Sequence, residues 1–561
     1  MSSISGAEAM VRMLQLYGVK HIFGLCGDTS LPLYDALCRL DHGMQHILTR
    51  DERSAAYMAD GYARVSGRVG VCEGPSGGGA TYILPGLVEA SESSVPVLGI
   101  TTDVSTTSRG RYALTALDQE ALFRPLTKCN EVIDRADQLP QAVRRAFRAM
   151  TTGRPGAAHL GLPFDVQNDP VPEEALWGQP EHAACPAWRP GPDPQAVERA
   201  AAALLAARAP VIVCGGGVVI AGAAPELDRL ARMLDAPVAT TISGQGSLGE
   251  EHALCLGVVG SNGGTPPTRE VLAAADLVLF IGCRAGSVTT ERWRFPRPGV
   301  RVVHIDIDPM AIGANYPTEV GVVSDAKLAL AALAQELAGR GGSRPGGGAA
   351  RVREAKARKL AAYRALAEQL SAPLLPERIV AELQRLLPRD AVLVCDPGTP
   401  CPYFSAYYEF LEPGRHFISN RAHGALGYAM SAAVGAHFGR PGARIVAVMG
   451  DGSFGFTAGE LETIVRLRVP VLMVVISNGT YGWIKAGQKA GFEGRYFAVD
   501  FDRTDHARVA EAFGVRAWRV ESAEGLGPAL AAAAAHGGPA LVDIVAQPLH
   551  EARAPVSEWV A

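Results

Sequence analysis

Short apolar runs alternate with helical patterns along most of the chain. Up to about residue 170, runs such as VKHIFGL, VGVCEG and VPVLGIT are separated by helical stretches such as ERSAAYMADGYARVSG. Uninterrupted apolar runs of this length are typical of strands that are covered on both faces, and their alternation with helices is typical of parallel sheets. The same rhythm returns with APVIVCGGG, ADLVLFIG and RVVHIDID, and again with AVLVCD, RIVAVMG and VLMVVIS. The pattern predicts an α/β protein with three doubly wound parallel-sheet domains.

Two irregular passages separate these blocks. A Pro-rich stretch covers 171–194, and a Gly-rich and then basic stretch covers 341–375. Both compositions are typical of linkers, and the basic residues of the second indicate a solvated face more than a binding site. We therefore expect domains over 1–170, 195–340 and 376–561.

Composition restricts the kind of partner. Of 561 residues, 48% are apolar and 20% charged, the net charge is −4, and no long basic run occurs. A small-molecule partner is therefore favoured over nucleic acid or a membrane surface. No apolar run reaches membrane-spanning length, and the N-terminus predicts a capped amphipathic helix instead of a signal peptide. Ten scattered cysteines without a C-x-x-C pair indicate buried free thiols, and we expect a cytoplasmic location.

An aspartate bracketed by glycines follows the run RIVAVM, and an asparagine follows the run VLMVVIS. Asp451 and Asn478 would thus lie at the carboxyl ends of two strands, where open α/β sheets bind ligands. Their oxygens, with one nearby carbonyl, suit Mg²⁺ bridged to phosphates, and the amides of Gly452 and Ser453 would face a diphosphate. Taken alone, Gly-Asp-Gly is equally compatible with a turn and an Asx cap.

The two strand ends together resemble the signature of the thiamine diphosphate enzyme superfamily. Within it, the chain is most similar to the acetolactate synthase and pyruvate oxidase group over nearly its whole length, including TRDERSAAYMADGYARVSGRVGVCEGPSGGGATY. The resemblance implies a pyrimidine-binding N-terminal domain, a central nucleotide-binding-like domain and a C-terminal domain that binds the diphosphate through Mg²⁺. The implied metal ligands are Asp451, Asn478 and Thr480, and the implied cofactor contacts are Glu52, Ser76, Gly77, Gly398, Thr399, Leu426, Gly450, Gly452, Ser453, Tyr481 and Gly482.

The resemblance gives the central chemical role to Glu52. A carboxyl group that is hydrogen-bonded to the aminopyrimidine ring favours its imino tautomer, which removes the thiazolium C2 proton. Leu426 occupies the position of the apolar residue that supports the bent cofactor. In the family, the glutamate and the magnesium site come from different subunits, which implies a homodimer or homotetramer with active sites at the subunit interface.

In the central domain the resemblance implies FAD or an adenine nucleotide. The residues at the corresponding positions are Arg154, Gly215, Gly216, Gly217, Thr241, Arg284, Asp306, Ile307 and Asp325. A glycine-rich turn and an arginine suit a pyrophosphate. A packed α/β domain also keeps such residues for structural reasons, and Gly286 and Val288 replace the acidic and basic residues that acetolactate synthases carry after G-x-R. The sequence therefore leaves open whether the central domain binds FAD.

Four departures affect the substrate side of the site. Thr115 stands where acetolactate synthases carry a glutamine, Phe164 replaces a lysine, Gly487 replaces a tryptophan, and Asp51 replaces the histidine before Glu52. We therefore expect the cofactor machinery to be retained and the choice of acceptor to differ.

The function expected is decarboxylation of a 2-oxo acid such as pyruvate, with possible carboligation. The alternatives are a lyase of the 2-hydroxyacyl-CoA lyase or oxalyl-CoA decarboxylase kind, a simple 2-oxo acid decarboxylase, and an inactive regulatory paralogue. His423 and Tyr481 are candidates for local proton transfer, with a structural role as the alternative for each.

Overall fold

The computed structural model describes residues 2–342 and 347–559. They form two compact units. The first contains the N-terminal segment through Trp188, Asn420–Gly442 and Thr457–Val469, and the second contains Arg189–Ser419, Ala443–Phe456 and the segment from Pro470 onward. Three six-stranded parallel sheets are present, one in the first unit and two in the second. The predicted α/β architecture with three parallel sheets is confirmed.

The sheet of the first unit has the strand order β3-β2-β4-β5-β7-β6, and β1 pairs antiparallel with β8 beside it. The strands are β1 (Ser3–Ser5), β2 (His21–Gly24), β3 (Gln45–Leu48), β4 (Gly70–Gly74), β5 (Val97–Asp103), β6 (Cys129–Val132), β7 (Ala158–Pro163) and β8 (Pro170–Pro172). The helices are α1 (Gly6–Leu16), α2 (Leu31–Arg39), α3 (Glu52–Ser66), α4 (Gly78–Tyr82), α5 (Leu84–Glu92), α6 (Gln119–Phe123), α7 (Leu139–Thr151) and α8 (Phe164–Asn168). The predicted N-terminal helix is present as α1, capped by Ser5 and Glu8 in a capping box.

The central sheet has the order β11-β10-β9-β12-β13-β14. Its strands are β9 (Pro210–Cys214), β10 (Val238–Thr240), β11 (Cys255–Val258), β12 (Leu277–Ile281), β13 (Arg301–Asp306) and β14 (Val320–Val323). The helices of this region are α9 (Pro194–Ala206), α10 (Gly216–Ala221), α11 (Ala224–Leu234), α12 (Pro266–Ala273), α13 (Ala326–Gly339) and α14 (Gly348–Ala367).

The third sheet has the order β16-β15-β17-β18-β20-β19. Its strands are β15 (Val392–Cys395), β16 (Phe417–Ser419), β17 (Ile445–Gly450), β18 (Leu472–Ser477), β19 (Arg516–Val520) and β20 (Ala540–Val545). The helices of the C-terminal region are α15 (Pro376–Leu386), α16 (Pro400–Tyr407), α17 (Ala429–Gly439), α18 (Asp451–Thr457), α19 (Leu461–Arg466), α20 (Gly482–Gly491), α21 (His506–Ala512) and α22 (Ala523–Ala535). Of these, α17 and α19 belong to the first unit.

Helices α3 and α17 cross at very short range. A Cβ atom at Gly61 would collide with the carbonyl of Ala432, and a Cβ at Gly435 would collide with the carbonyl of Met58. Glycine at both positions lets the two backbones touch, which buries α3 almost completely. The helix that begins with Glu52 is therefore held rigidly along its length.

Most of the segment predicted as the second linker is helical. Residues 343–346 of it lie outside the described residues, and Gly348–Ala367 forms α14. Val352 and Ala355 of this helix pack into the core of the central sheet, and Tyr363 and Ala367 pack into the core of the third sheet. The composition of this segment did not reveal the helix, because its buried apolar positions are few and widely spaced among basic residues.

Two further expectations were tested by the structure. No helix within 2–342 and 347–559 is both long and apolar enough to cross a bilayer. All ten cysteines are free, as predicted, but Cys26 and Cys38 are exposed, so the expectation that the thiols are buried is wrong for these two.

Candidate active site

Glu52 is the first residue of α3, at the carboxyl end of β3. Asp51 caps the helix by accepting the Arg53 N–H, and Glu52 is only 7% exposed. The preceding turn is held by a long-range contact, because the Arg50 N–H donates to Oε1 of the buried Glu460 at 2.9 Å. A carboxylate that accepts a backbone N–H holds that backbone in place. Glu460 therefore fixes the point at which the Glu52 helix begins.

The Glu52 side chain lies against the turn that follows β4. A Cβ atom at Gly74 would lie 3.3 Å from Glu52 Cγ, and one at Gly79 would lie 3.1 Å from Glu52 Oε1. Burial raises the pKa of Glu52, and the negative charges of Asp51 and Glu73 act in the same direction. The carboxyl group thus lies in a narrow, glycine-lined space that disfavours its charged form.

A chain of hydroxyl groups passes through the predicted cofactor turn at Ser76 and Gly77. The Ser76 hydroxyl lies 2.7 Å from the Thr115 hydroxyl and 3.1 Å from that of Thr29, which is itself 2.8 Å from the Thr102 hydroxyl. Gly77 has a φ of 70°, and a Cβ there would lie 2.8 Å from Thr115 Cβ. Thr115, with a φ of 67°, is also left-handed, which is rare for a β-branched residue. The structure therefore places Thr115 directly beside the predicted cofactor turn.

Leu426 lies in a tight loop of the first unit. The Asn420 side chain donates to the Ala425 carbonyl at 2.6 Å, and the His423 N–H donates to Glu89 Oε2 at 2.7 Å. Leu426 is half-buried, whereas the His423 side chain is exposed. The loop is thus anchored at two points and presents an apolar side chain.

In the second unit, β17 and β18 are paired neighbours, and Asp451 and Asn478 follow their carboxyl ends as predicted. Asp451 is 6% exposed, and its Oδ2 accepts the N–H groups of Asn478 and Gly479, both at 2.7 Å. Its Oδ1 accepts the Gly452 N–H at 2.9 Å. One carboxylate therefore ties the two strand ends together. Burial raises the pKa of Asp451, against the lowering effect of these three N–H donors.

The loop after Asn478 presents further oxygen atoms. Asn478 Oδ1 accepts the Thr480 N–H at 3.3 Å, and the Thr480 carbonyl accepts the Gly482 N–H at 2.9 Å. The Thr480 hydroxyl is engaged, because it donates to the Val499 carbonyl at 2.9 Å. The Thr480 backbone oxygen accepts one N–H and keeps a second lone pair for a ligand. Carboxylate, amide and carbonyl oxygens each keep a further lone pair, and this donor set fits Mg²⁺. Within the described residues, no cluster of three His, Cys, Asp or Glu side chains offers an alternative metal site.

Glycines leave open space at the same sheet edge. A Cβ atom at Gly398 or at Gly450 would meet no other heavy atom within 4 Å, whereas one at Gly452 would lie 2.8 Å from the Tyr481 ring. Thr399 is buried next to Gly398. The expectation that the Gly452 amide is free to face a diphosphate is wrong, because this N–H is engaged by Asp451. Gly398 and Gly450 thus border open space at this sheet edge.

Most of the predicted nucleotide contacts of the central domain lie at the carboxyl edge of its sheet. They follow β9, β10, β12, β13 and β14. Several already serve the fold. A Cβ at Gly217 would lie 2.7 Å from Gly282 Cα, and one at Gly215 would collide with the Gly282 carbonyl. Asp325 caps α13 and pairs with Arg189 at 2.8 Å.

The remaining central-domain candidates have mixed surroundings. The Thr241 side chain accepts the Gly244 N–H at 3.0 Å, and Asp306 accepts the Asp308 N–H at 2.9 Å. The Arg284 side chain is exposed, Ile307 is half-buried, and a Cβ at Gly216 would be 3.4 Å from the Ser243 carbonyl. Arg154 belongs to the first unit, where its guanidinium donates to Ser94 at 3.0 Å and to the Ser91 carbonyl at 3.2 Å.

Comparison with known proteins identifies relatives of this chain. Three family profiles match the chain: "Thiamine pyrophosphate enzyme, N-terminal TPP binding domain" over 4–122, the central domain over 197–333, and the "C-terminal TPP binding domain" over 396–544. A probable acetolactate synthase large subunit of Methanocaldococcus jannaschii is 34% identical, with 97% of this chain and 92% of that protein aligned. The chain belongs to the thiamine pyrophosphate enzyme family. It is an enzyme of the acetolactate synthase-like kind, and its cofactor is thiamine diphosphate.

Other relatives in this family have the same description. The acetolactate synthase isozyme 3 large subunit of Escherichia coli is 31% identical, with 92% of this chain and 89% of that protein aligned. The acetolactate synthase large subunit of Corynebacterium glutamicum is 33% identical, with 94% and 84% aligned. The similarity to these large subunits thus extends across all three sheets.

Sequence reasoning missed three residues near Glu52. Glu73 is buried on the neighbouring strand β4 and accepts a hydrogen bond from the half-buried Tyr34, and Glu460 anchors the Glu52 helix from a distant part of the chain. Glu73 carries a visible signal, since a carboxylate within the otherwise apolar run VGVCEG is unusual for a strand covered on both faces. Glu460 carries none, because its contact with Arg50 depends on the tertiary fold.

Proposed function

We propose that this enzyme decarboxylates a 2-oxo acid such as pyruvate. The remaining acyl unit is then either transferred to a second carbonyl compound or protonated and released as an aldehyde. The observation that carries the proposal is the carboxylate of Asp451, which joins two strand ends beside open, glycine-lined space. Its donor set suits Mg²⁺ and a diphosphate, with Asn478 and Thr480 as the other ligands. Bound thiamine diphosphate would supply the carbon nucleophile that a 2-oxo acid substrate needs.

The protein's own residues have separable tasks in this proposal. Glu52 holds a proton at its carboxyl group and shares it with a ring nitrogen of the bound cofactor. Ser76 and Gly77 form a turn that a ring can approach closely, since glycine removes the side chain there. Leu426 supplies apolar contact area from an anchored loop. Tyr481 covers Gly452 on the diphosphate side.

The proposed assembly and location are based on the resemblance to the family. We propose a cytoplasmic homodimer or homotetramer whose active sites combine an N-terminal domain over 1–170 with the C-terminal domain of the partner over 376–561. A central domain over 195–340 would bind FAD or an adenine nucleotide at the carboxyl edge of its sheet, where Thr241, Arg284 and Asp306 lie. Flavin absorbance of the supernatant after denaturation of the purified protein tests the FAD component directly.

The acceptor should differ from that of a dedicated acetolactate synthase. Thr115 adjoins the cofactor turn, and Gly487 offers no side chain where acetolactate synthases carry a tryptophan. Phe164 is 39% exposed at the start of α8. Where a buried polar contact decides between substrates, its loss can change discrimination by about four powers of ten.

A product screen tests this function. The enzyme is supplied with thiamine diphosphate and Mg²⁺ and is given 2-oxo acids, alone and with aldehyde or thioester acceptors, while carbon dioxide and the ligated product are measured. We expect release of carbon dioxide from a 2-oxo acid and poor self-condensation of pyruvate. Acetolactate as the dominant product, at the efficiency of a dedicated enzyme, would show that Thr115, Phe164 and Gly487 do not control acceptor choice. Absence of any turnover would refute the proposed function.

A further inference from the structure

The loop of residues 420–427, the Leu426 loop, is attached to a buried carboxyl group. Glu89 lies in α5 and is 0% exposed. Its Oε2 accepts the His423 N–H at 2.7 Å, and its Oε1 accepts a hydrogen bond from the Arg64 guanidinium of α3 at 2.9 Å. The two oxygens of Glu89 therefore serve two partners, the loop backbone and a cation.

The same cation connects Glu89 to the end of the loop. Arg64 Nε donates to Asp60 Oδ2 at 2.7 Å, and the Tyr428 hydroxyl donates to the same oxygen. Asp60 and Tyr428 are both 0% exposed, and the Arg64 guanidinium carbon lies 5.9 Å from the centre of the Tyr428 ring. Asp60, Arg64 and Glu89 form a buried ionic cluster. This cluster holds the loop at His423 and, directly after the loop, at Tyr428.

Leu426 lies between these two attachment points. His423 is three residues before it, and Tyr428 is two residues after it. Gly424 and Gly427, with φ of 74° and 83°, turn the backbone on either side of Leu426. Because glycine restricts the backbone less than any other residue, the position of Leu426 depends on what holds the two ends of this short segment.

The buried ionic cluster is better suited to select one arrangement than to add stability. Arg64 lies between two carboxylates, and apolar side chains of similar volume often stabilise an interior at least as well as such ions. Hydrogen bonds of charged groups are short and specific in geometry. The Ser93 hydroxyl also donates to Glu89 Oε1 at 2.5 Å, so one carboxyl group satisfies a hydroxyl, a guanidinium and a backbone N–H at once. An amide would have only one acceptor oxygen for these donors.

We propose that Glu89 is a positioning residue for the cofactor, which acts through the Leu426 loop. Glu89 does not touch the cofactor in this account. It fixes the backbone at His423, and this contact sets where Leu426 presents its apolar side chain. The inference rests on the proposed role of Leu426 as an apolar contact of bound thiamine diphosphate.

The variant Glu89→Gln tests the attachment in the cofactor-free protein. Glutamine keeps the shape, and its one acceptor oxygen should turn to Arg64, because charge-assisted hydrogen bonds are the stronger ones; the His423 N–H then faces an NH₂ group. Hydrogen–deuterium exchange of the peptide that covers 420–428, followed by mass spectrometry, should be about tenfold faster than in the wild-type protein. The control Glu131→Gln removes a carboxylate of β6 that pairs with an arginine at 3.2 Å, and it should leave this peptide unchanged.

A double-variant cycle tests whether the loop position matters to the cofactor. The readout is the affinity for thiamine diphosphate at saturating Mg²⁺, measured by calorimetry. Leu426→Ala should weaken binding about tenfold, because the apolar contact of the leucine is lost. Glu89→Gln should weaken binding by a smaller factor and should add little to Leu426→Ala in the double variant, since its effect passes through the same side chain. General damage to the protein would instead add in full.

A second variant covers the case in which Glu89→Gln does not fold. Glu89→Asp keeps the charge and both acceptor oxygens but is one methylene shorter, so it cannot reach Arg64 and His423 together, and exchange of the same peptide should again be faster. Unchanged exchange in either folded variant overturns the attachment, and additive losses of affinity overturn the positioning role. If exchange is faster in Glu89→Gln while Leu426→Ala binds the cofactor like the wild-type protein, the proposed role of Leu426 fails and the attachment of the loop by Glu89 stands.

Discussion

Replacing Asp451 by alanine should remove the proposed magnesium site and loosen the loop after Asn478. The wild-type carboxylate accepts three backbone N–H groups, from Gly452, Asn478 and Gly479, at 2.7 to 2.9 Å. An N–H group left without an acceptor costs about 1–3 kcal/mol when buried. Asn478 and Gly479 are only partly buried, and water can enter the vacated space, so we expect a loss of about 3–5 kcal/mol for the three together.

This loss should leave a folded protein, since domains of ordinary size have about 5–15 kcal/mol of stability. Chemical denaturation of the cofactor-free variant measures the change. Titration with thiamine diphosphate at increasing Mg²⁺ measures the site, and we expect Asp451→Ala to show no magnesium-dependent binding. The control Asp500→Ala removes an exposed carboxylate that pairs with Lys485 in the same region, and it should alter stability by at most about 1 kcal/mol. Wild-type affinity in Asp451→Ala would refute the magnesium assignment, and wild-type stability would refute the structural role of the carboxylate.

Two further predictions concern other carboxyl groups. Glu52→Gln should bind the cofactor but slow exchange of the thiazolium C2 proton by orders of magnitude, because an amide cannot donate and regain the proton; wild-type exchange by proton NMR would contradict the role of Glu52. Glu377 is 1% exposed, and burial raises its pKa from 4.5 to about 7. Native Glu377 therefore holds its proton to higher pH than the unfolded chain does, and the wild-type protein should lose about 3 kcal/mol relative to Glu377→Gln as the pH rises from 4.5 to 7. Denaturation curves of both proteins across this pH range check the sign, and a constant difference would show that Glu377 does not titrate there.

The three sheets could be predicted because their strands are buried on both faces. Runs such as RIVAVMG and VLMVVIS are continuous and apolar, and they became β17 and β18. The short edge strands β16 and β19 left little trace, since Phe417–Ser419 has three residues and Arg516–Val520 contains two arginines among its five residues. Helix α14 was missed for a related reason, as its apolar contacts are distributed between two cores.

Within the candidate site, residues in contiguous motifs could be predicted and residues joined across the chain could not. Asp451 and Asn478 each follow a strand, and parallel neighbours bring such ends together, so their proximity follows from topology. That Asp451 accepts the amides of the second loop could not be predicted, because it depends on the rotamer of one side chain. The contact of Ser76 with Thr115 likewise joins a strand end to an exposed loop.

If Asp451 binds Mg²⁺ as proposed, its carboxylate has two dependent roles. Asp451 can present an oxygen to a cation only if Asn478 and Thr480 stand beside it, and their loop is positioned by the N–H groups that Asp451 itself accepts. Asparagine at 451 could serve as a neutral oxygen ligand, but it would bring an NH₂ group to one side of the cluster of backbone donors and disturb the loop. A carboxylate is acceptor on both sides and can satisfy all three donors and the cation at once. On this argument, aspartate suits the position between Gly450 and Gly452 better than asparagine does, because only the carboxylate accepts on both sides.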